Sequence, residues 1–163
     1  MTEEVPRTEA ANVGFPADAK LTPWPEARQA LEQATTYWVG TVRRDGRPHV
    51  APVWAVWLDG ALYFSTGERS VKARNLAREP RSVISVEGKL HLVIEGTTER
   101  VADAAEMQRM VDAYSPKYNW RMEVRDGAIH DQDGNSGPVY RLSPQRVLAF
   151  DVSSGLTATR FVF

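Results

Sequence analysis

Thr36-Tyr37-Trp38-Val39-Gly40-Thr41-Val42, then Arg43-Arg44-Asp45-Gly46-Arg47, then Pro48-His49-Val50-Ala51-Pro52-Val53-Trp54-Ala55-Val56-Trp57-Leu58, is the stretch on which the fold turns. β-Branched and aromatic residues dominate both apolar runs, and Asp45-Gly46 between them supplies two residues that tolerate positive φ in a tight hairpin. A second Asp-Gly, Asp59-Gly60, separates the long strand His49–Leu58 from the short run Ala61-Leu62-Tyr63-Phe64, so three strands form an antiparallel meander. Period-2 alternation sends Val53, Ala55 and Trp57 one way and Trp54, Val56 and Leu58 the other. Both faces are apolar, which predicts a strand covered on each side.

Working outward, Ser65-Thr66-Gly67-Glu68-Arg69-Ser70 reads as a polar loop and Val71–Glu79 as a short helix stopped by Pro80, with Ala73, Leu76 and Ala77 as its apolar stripe. Arg81–Glu87 and Leu90–Ala102 read as two more strands joined near Gly88-Lys89. Asp103 to Tyr114 carries an Asp cap, Glu106 three residues on as in a capping box, and Met107, Met110, Val111 and Tyr114 on one face, which predicts an amphipathic helix. Ser115 to Pro138 reads as a loop with room for one helical turn, followed by strands at Val139–Leu142, Val147–Val152 and Thr157–Phe163. Towards the start, Pro25–Ala34 is a short helix with Pro at its first position. Residues 1–24, broken by Pro6, Pro16 and Pro23, form an extended N-terminal arm ahead of a single domain at 25–163. The sum is a mostly β fold: an antiparallel sheet of seven or eight strands with two or three small helices. In so short a chain this favours a closed or nearly closed barrel over an open sheet with long edges.

Composition narrows the function. With 163 residues, 42% hydrophobic and 25% charged, the chain sits near the globular average and has room for one core and no second catalytic domain. Twenty Lys plus Arg against 21 Asp plus Glu leaves a net charge of -1, without the diffuse basic field of a nucleic-acid coat or a polybasic membrane binder. Cys is absent, which excludes disulfides, thiolate catalysis and cysteine metal sites. The acidic start lacks an apolar signal region and no run approaches the ~18 apolar residues of a membrane span, so a cytoplasmic protein is expected.

The chemistry concentrates between Ser65 and Arg81. Arg69, Lys72, Arg74, Arg78 and Arg81 place five cationic groups in 13 residues against Glu68 and Glu79, and the first two flank a helix start that follows a Ser/Thr/Gly loop. An anion held by Ser70, Lys72 and the loop backbone fits that pattern. A solvated short helix with Arg on its outer face fits it equally, and the residues alone leave both readings open. His49, His91 and His130 are scattered without metal-ligand spacing, and no metal site is expected. Asp131-Gln132-Asp133-Gly134-Asn135 opens like a calcium loop but has Ser136 at the sixth position and Leu142 at the twelfth, so it reads as a polar turn.

Thr41-Val42-Arg43-Arg44-Asp45-Gly46-Arg47-Pro48-His49, Pro52-Val53-Trp54, Leu62-Tyr63-Phe64-Ser65-Thr66, Ser70-Val71-Lys72-Ala73-Arg74-Asn75-Leu76 and Pro80-Arg81 together resemble, in order and spacing, the pyridoxamine-phosphate-oxidase-like flavin and deazaflavin oxidoreductases. The resemblance is strong over residues 36–101. Thr157-Ala158-Thr159-Arg160-Phe161 resembles the C-terminal strand of the deazaflavin-binding branch, many members of which carry Trp at the position of Phe161. The resemblance implies a homodimer of split β-barrels, each holding a flavin-type cofactor in a groove at the subunit interface. It implies that Lys72 and Ser70 hold the cofactor phosphate with help from Arg69 or Arg74, that Pro52, Val53 and Trp54 line the ring, and that Ser65 and Thr66 sit near the ribityl chain. The Arg-x-His substrate motif expected near the C-terminus of pyridoxamine-phosphate oxidase itself is not found here.

FMN and coenzyme F420 occupy a similar groove in this superfamily. The phospholactyl-oligoglutamate tail of F420 adds carboxylates, and the cations around one helix exceed what one phosphate needs, so F420 is the expected cofactor and FMN the alternative. Hydride transfer asks the protein for orientation, desolvation and electrostatics, because the cofactor carries the chemistry. No catalytic acid or base is therefore assigned. The expected function is hydride transfer between reduced F420 and a small electron-poor organic substrate, with Trp54, Tyr118 or Trp120 as pocket walls. A non-catalytic cofactor carrier or haem-binding protein on the same scaffold is the reading from a different class.

Overall fold

The computed structural model describes residues 5–11, 20–153 and 157–163. Strand β1 (Arg7–Ala10) is followed by helix α1 (Trp24–Gln33) and by the meander β2 (Tyr37–Val42), β3 (Pro48–Val53), β4 (Ala55–Leu58) and β5 (Ala61–Ser65). Helix α2 (Val71–Leu76), strands β6 (Arg81–Val86) and β7 (Leu90–Arg100), and helix α3 (Ala104–Tyr118) come next. A small sheet of β8 (Met122–Arg125), β9 (Ala128–Asp131) and β10 (Ser136–Gly137) precedes the long β11 (Val139–Asp151) and β12 (Thr157–Val162).

Both Asp-Gly turns form as read. Gly46 has φ 84°, and Asp59 and Gly60 take φ 51° and 78°, the paired positive values of a two-residue hairpin turn. The long strand His49–Leu58 does not form as one element. It breaks at Trp54, where β3, paired with β2, gives way to β4, paired with β5. That break closes the barrel: β4 pairs β5, β5 pairs β11, β11 pairs β7, β7 pairs β6, β6 pairs β2, and β2 returns to β3, the same run of chain that began as β4. The ring is closed by a covalent bond at Trp54.

The expected strands Val139–Leu142 and Val147–Val152 are one strand with a register shift between Pro144 and Arg146. The shift lets β11 change neighbours, with Val139–Leu142 paired to β5 and Arg146–Asp151 paired to β12. Pro144 passes opposite Gly96, where a Cβ would lie 2.1 Å from the Ser143 carbonyl oxygen; only glycine lets the chains approach so closely.

The two apolar faces of the Val53–Leu58 run are covered from different directions. Val53, Ala55 and Trp57 join the barrel core with Leu62, Phe64, Ile84, Leu92, Ile94 and Phe161. Val56 packs with Met107, Met110, Val111 and Tyr114 of α3, and Leu58 lies against the same cluster. Trp24 closes one end of the barrel in edge contacts with Trp57, Phe161 and Phe163 at 5.8, 5.1 and 5.2 Å.

Helix boundaries shift from those expected. Helix α1 begins at Trp24 and places Pro25 second, and α2 ends at Leu76, its last turn closed by Glu79 N–H donating to the Asn75 carbonyl at 2.8 Å. Asp103 caps α3 through the Glu106 N–H at 2.7 Å. The Glu106 carboxylate does not complete a capping box; it accepts the Tyr63 hydroxyl and Arg141, both at 2.8 Å. Helix α3 runs four residues past Tyr114, through Pro116, and ends on left-handed Asn119. The expected loop from Ser115 to Pro138 therefore consists of the last turn of α3 and a three-stranded sheet. No helix among the described residues is long and apolar enough to cross a membrane.

Candidate functional site

The expected site residues fall into two neighbouring groups joined by one hydrogen-bonded link. Trp54, freed by the β3–β4 break and 43% exposed, lines a cavity of about 250 Å3 together with Ser65, Thr66, Tyr114 and Trp120. Its other lining residues include Met122, Ile129, Asp131 and Ser136 of the small sheet and Asn135 of the turn before β10, placed there by the segment read as loop. Trp54 stacks flat on Tyr118, with ring centroids 4.7 Å apart, and meets Trp120 edge-on at 5.9 Å. Tyr118 is thus a backing for Trp54, whereas Trp120 is a wall.

The α3 C-terminus fixes this aromatic wall through the backbone of Ala55. Tyr118 Oη accepts the Ala55 N–H at 3.0 Å and lies 2.9 Å from the Ala55 carbonyl, which also accepts Lys117 Nζ at 3.0 Å. Lys117 donates to the Tyr37 hydroxyl at 2.8 Å and sits over the Tyr37 ring, while that hydroxyl donates to the Leu31 carbonyl. Burial lowers the Lys117 pKa to about 8 against an opposing pull from Glu32. Burial first, then Tyr118 and Glu32, raises that of Tyr37.

The second group surrounds α2. A cleft of about 580 Å3 between this helix and the β2–β3 hairpin is lined by Arg43, Arg44, Arg47, Arg74, Val71 and Asn75, with one carboxylate, Asp45, which is paired with Arg47. The cationic set differs from the one expected. Arg81 is held bidentately by Glu79, and Arg78 donates to the Val42 carbonyl, so two of the five cations of the 69–81 stretch are spoken for. Arg43 and Arg44 of the hairpin replace them, brought to α2 by the tertiary fold and invisible to any local spacing rule. Among the described residues Arg43, Arg44, Arg69, Lys72 and Arg74 make no ion pair. Lys72 is half-buried, and burial alone lowers its pKa.

Ser70 links the groups. Its Oγ accepts the Ala73 N–H at 3.1 Å as the cap of α2 and receives the Thr66 hydroxyl at 3.2 Å. Ser65 donates to the Pro138 carbonyl at 2.9 Å. Arg69 and Arg74 are exposed. Val53 places its side chain in the barrel core, which leaves its backbone as the part open to a ligand. Pro52 lies on the outer side of β3 and lines neither space. Sequence reasoning missed Arg43, Arg44 and the small-sheet wall. Among the described residues no cluster of His, Asp and Glu has metal-binding geometry.

An uncompensated half-buried ammonium with free guanidinium groups beside it suits a phosphate-bearing ligand, and an aromatic cavity next to it suits a planar ring. Comparison with solved structures finds the same fold in a conserved hypothetical protein of Mycobacterium tuberculosis, 23% identical over 80% of this chain and 86% of that one, with a TM-score of 0.66. An F420 reductase is 22% identical over 74% of this chain and 94% of its own, with a TM-score of 0.55. A heme binding protein of Mycobacterium smegmatis is 20% identical over 81% of this chain and 55% of its own, with a TM-score of 0.62. Identities this low establish the fold alone. No curated protein matches the chain in sequence. The model of the family described as pyridoxamine 5'-phosphate oxidase matches residues 23–150, the barrel with both groups of site residues, and the chain belongs to that family.

Proposed function

We propose that the protein is an oxidoreductase that uses a flavin-type cofactor, coenzyme F420 in preference to FMN, to exchange a hydride with a small electron-poor organic substrate. The observation that carries this reading is Lys72, a half-buried cation without a counter-charge among the described residues. Burying an ammonium is unfavourable unless an anion accompanies it, and a cofactor phosphate is an anion that the free protein lacks. Arg43, Arg44 and Arg74 line a cleft beside it that extends past the footprint of one phosphate, which favours a ligand with additional carboxylates. The F420 reductase and the heme binding protein among the structural neighbours are two of the directions the fold has taken elsewhere.

When bound, the cofactor supplies the hydride chemistry. The chain's own contribution is positional. Lys72 and the arginines fix the phosphate end, the backbone of Val53 and the Trp54 indole bound the ring, and Trp120, Tyr114 and Ile129 exclude water from the reacting face. A proton can come from solvent, so no acid or base is required of the cavity.

The protein is further proposed to work as a homodimer. The outer side of β2–β3 carries Trp38 beside Pro52, Gly40 beside Val50 and Val42 beside Pro48, a band without a charged side chain. Trp38 is 42% and Val50 60% exposed. A second copy of this chain is the occupant that meets it with an equally uncharged surface, and Trp54 at its edge would bring the cavity to the junction.

Parallel titration of the apo-protein with F420 and with FMN, followed by quenching of its five tryptophans, tests the cofactor reading. Tighter F420 binding, lost on Lys72→Ala, is the expected result. Preferential FMN binding moves the same residues to an ordinary flavoenzyme. Binding of neither, or unchanged affinity in Lys72→Ala, overturns the assignment.

A further inference from the structure

Beneath α2 a hydrogen-bond chain, buried at Asn75 and Thr41, ends on a partly exposed histidine that the cofactor reading leaves unused. Asn75 Nδ2 donates to Thr41 Oγ1 at 3.0 Å, and the same oxygen lies 3.5 Å from His49 Nδ1. An amide nitrogen is a donor only, so it occupies a lone pair on the threonine oxygen and leaves the hydroxyl hydrogen to point elsewhere. The His49 ring can accept the threonine hydroxyl at Nδ1 or donate from Nδ1 to the second lone pair of the same oxygen. Nε2 has no partner among the described residues, and the protonated ring donates from it.

Three elements set the surroundings of this ring. Arg43 at the end of β2 and Lys72 on α2 both act on His49 electrostatically. On the hairpin itself Asp45 is engaged by Arg47, with the Arg47 Nε donating at 2.9 Å, and it also attracts Arg43, so it offsets part of that cation's charge and none of Lys72's. Burial first, then Arg43, then Lys72, hold the His49 pKa below its ordinary value, and the free protein keeps the ring neutral at pH 7.

We propose that His49 is a third anchor for the cofactor phosphate, donating from Nε2 beside Lys72 and Arg43, and that its protonation tightens binding. The proposal rests on the assignment of Lys72 to that phosphate. A bound anion cancels the repulsion from Arg43 and Lys72 and adds an attractive charge, so His49 is more basic in the complex than in the free protein. Linkage fixes the sign: affinity rises as pH falls through the bound-state value and levels off below the free-state value.

The test is the pH dependence of F420 and FMN affinity between about pH 5.5 and 8.5, the span across which an unperturbed histidine changes charge, for wild type, His49→Gln and Lys72→Ala. Glutamine keeps a neutral donor near the Nε2 position but does not titrate, and the ratio of wild-type to variant affinity cancels any titration of the ligand. The expected ratio is near one at the alkaline end and grows to about tenfold at the acid end, the equivalent of a one-unit shift on binding. Lys72→Ala loses affinity across the whole range. NMR titration of the three histidines in free and cofactor-saturated wild type supplies the same answer without a variant, with only the His49 resonance expected to move upward. A ratio flat with pH, or an unmoved His49 titration, alongside lost affinity in Lys72→Ala, overturns the role of His49 alone. Lys72→Ala with unchanged affinity, or no binding of either cofactor, overturns both readings.

Discussion

Lys117 shows how one side chain ties the site to the stability of the barrel. Its pKa is lowered to about 8 in the folded protein against 10.5 for the ordinary group. Between those values the unfolded chain binds more protons than the folded one, so stability rises with pH across that window. Lys72, lowered by burial, contributes with the same sign. Tyr37, Tyr114 and Tyr118 have raised values and Tyr63 is raised to about 12; their contribution is complete below pH 10.0 and lost above it as the unfolded tyrosines ionise. The melting temperature of wild type should therefore climb from pH 7.5 to about 10 and then fall. In Lys117→Met the climb should shrink to the part owed to Lys72, because Tyr37 still donates to Leu31 and the Ala55 carbonyl still has Tyr118. Equal slopes in wild type and variant would show that Lys117 is not desolvated. At Ser70 the expectation is different in kind: Ser70→Ala removes the acceptor of the Ala73 N–H and should cost about 1 kcal/mol of stability in denaturant unfolding. Its effect on cofactor affinity should stay well below that of Lys72→Ala, since Ser70 Oγ is already engaged in holding α2. A larger affinity loss in Ser70→Ala than in Lys72→Ala would make the serine the main phosphate ligand.

At the scale of elements, what was readable in the sequence was whatever a local signal controls. Asp45-Gly46 and Asp59-Gly60 announce the meander, and Asp103 announces α3. A third Asp-Gly, Asp126-Gly127, carries the same signal between Met122–Arg125 and Ala128–Asp131, and the structure gives both residues positive φ, 52° and 71°. The four-residue strands around it are half exposed and lack a continuous apolar face, so polarity masked a legible turn. The break at Trp54 had no local signal, because Pro52-Val53-Trp54-Ala55 alternates as a strand should; the pairing of β4 with β5 decides it. The same holds for Arg43 and Arg44, which reach α2 through a hairpin that sequence spacing does not connect to it. Since the small sheet depends on its turn, Gly127→Val should loosen it selectively. The space around Gly127 is open, so the cost is backbone strain alone, about 1–2 kcal/mol. Hydrogen exchange should show lost protection at Glu123 and His130, a hydrogen-bonded pair of the hairpin, with the amides of Ile84 and Leu92 unchanged. Equal loss in both sets would mean that the sheet and the barrel unfold as one unit.

For the whole molecule, the question is what covers the uncharged band on β2–β3. The apolar second face of the Val53–Leu58 run, which predicts cover on each side of the strand, is covered at Val56 and Leu58 by the chain's own α3, so that run does not argue for assembly. The argument passes to the neighbouring band, where Trp38, Val42, Val50 and Trp54 are each at least a third exposed on adjacent parts of one surface. A monomer gains nothing by exposing them together, and pairing with a second copy removes them from water without burying a charge. Val50 lies opposite Gly40 and is the most exposed of the four, so Val50→Glu should leave the barrel's stability within about 0.5 kcal/mol while placing two carboxylates in a two-fold interface. Light scattering should give wild type twice the 18.2 kDa of one chain and the variant close to that value itself. Val152→Glu, at an exposed apolar residue away from the band, should leave the mass unchanged. A monomeric wild type would remove the dimer, and a dimeric Val50→Glu would move its interface elsewhere. Cofactor titration of a monomeric Val50→Glu then measures how much of the binding site one chain supplies: affinity equal to wild type places the phosphate cleft and ring wall within a single subunit, whereas a loss comparable to that of Lys72→Ala places part of them across the junction.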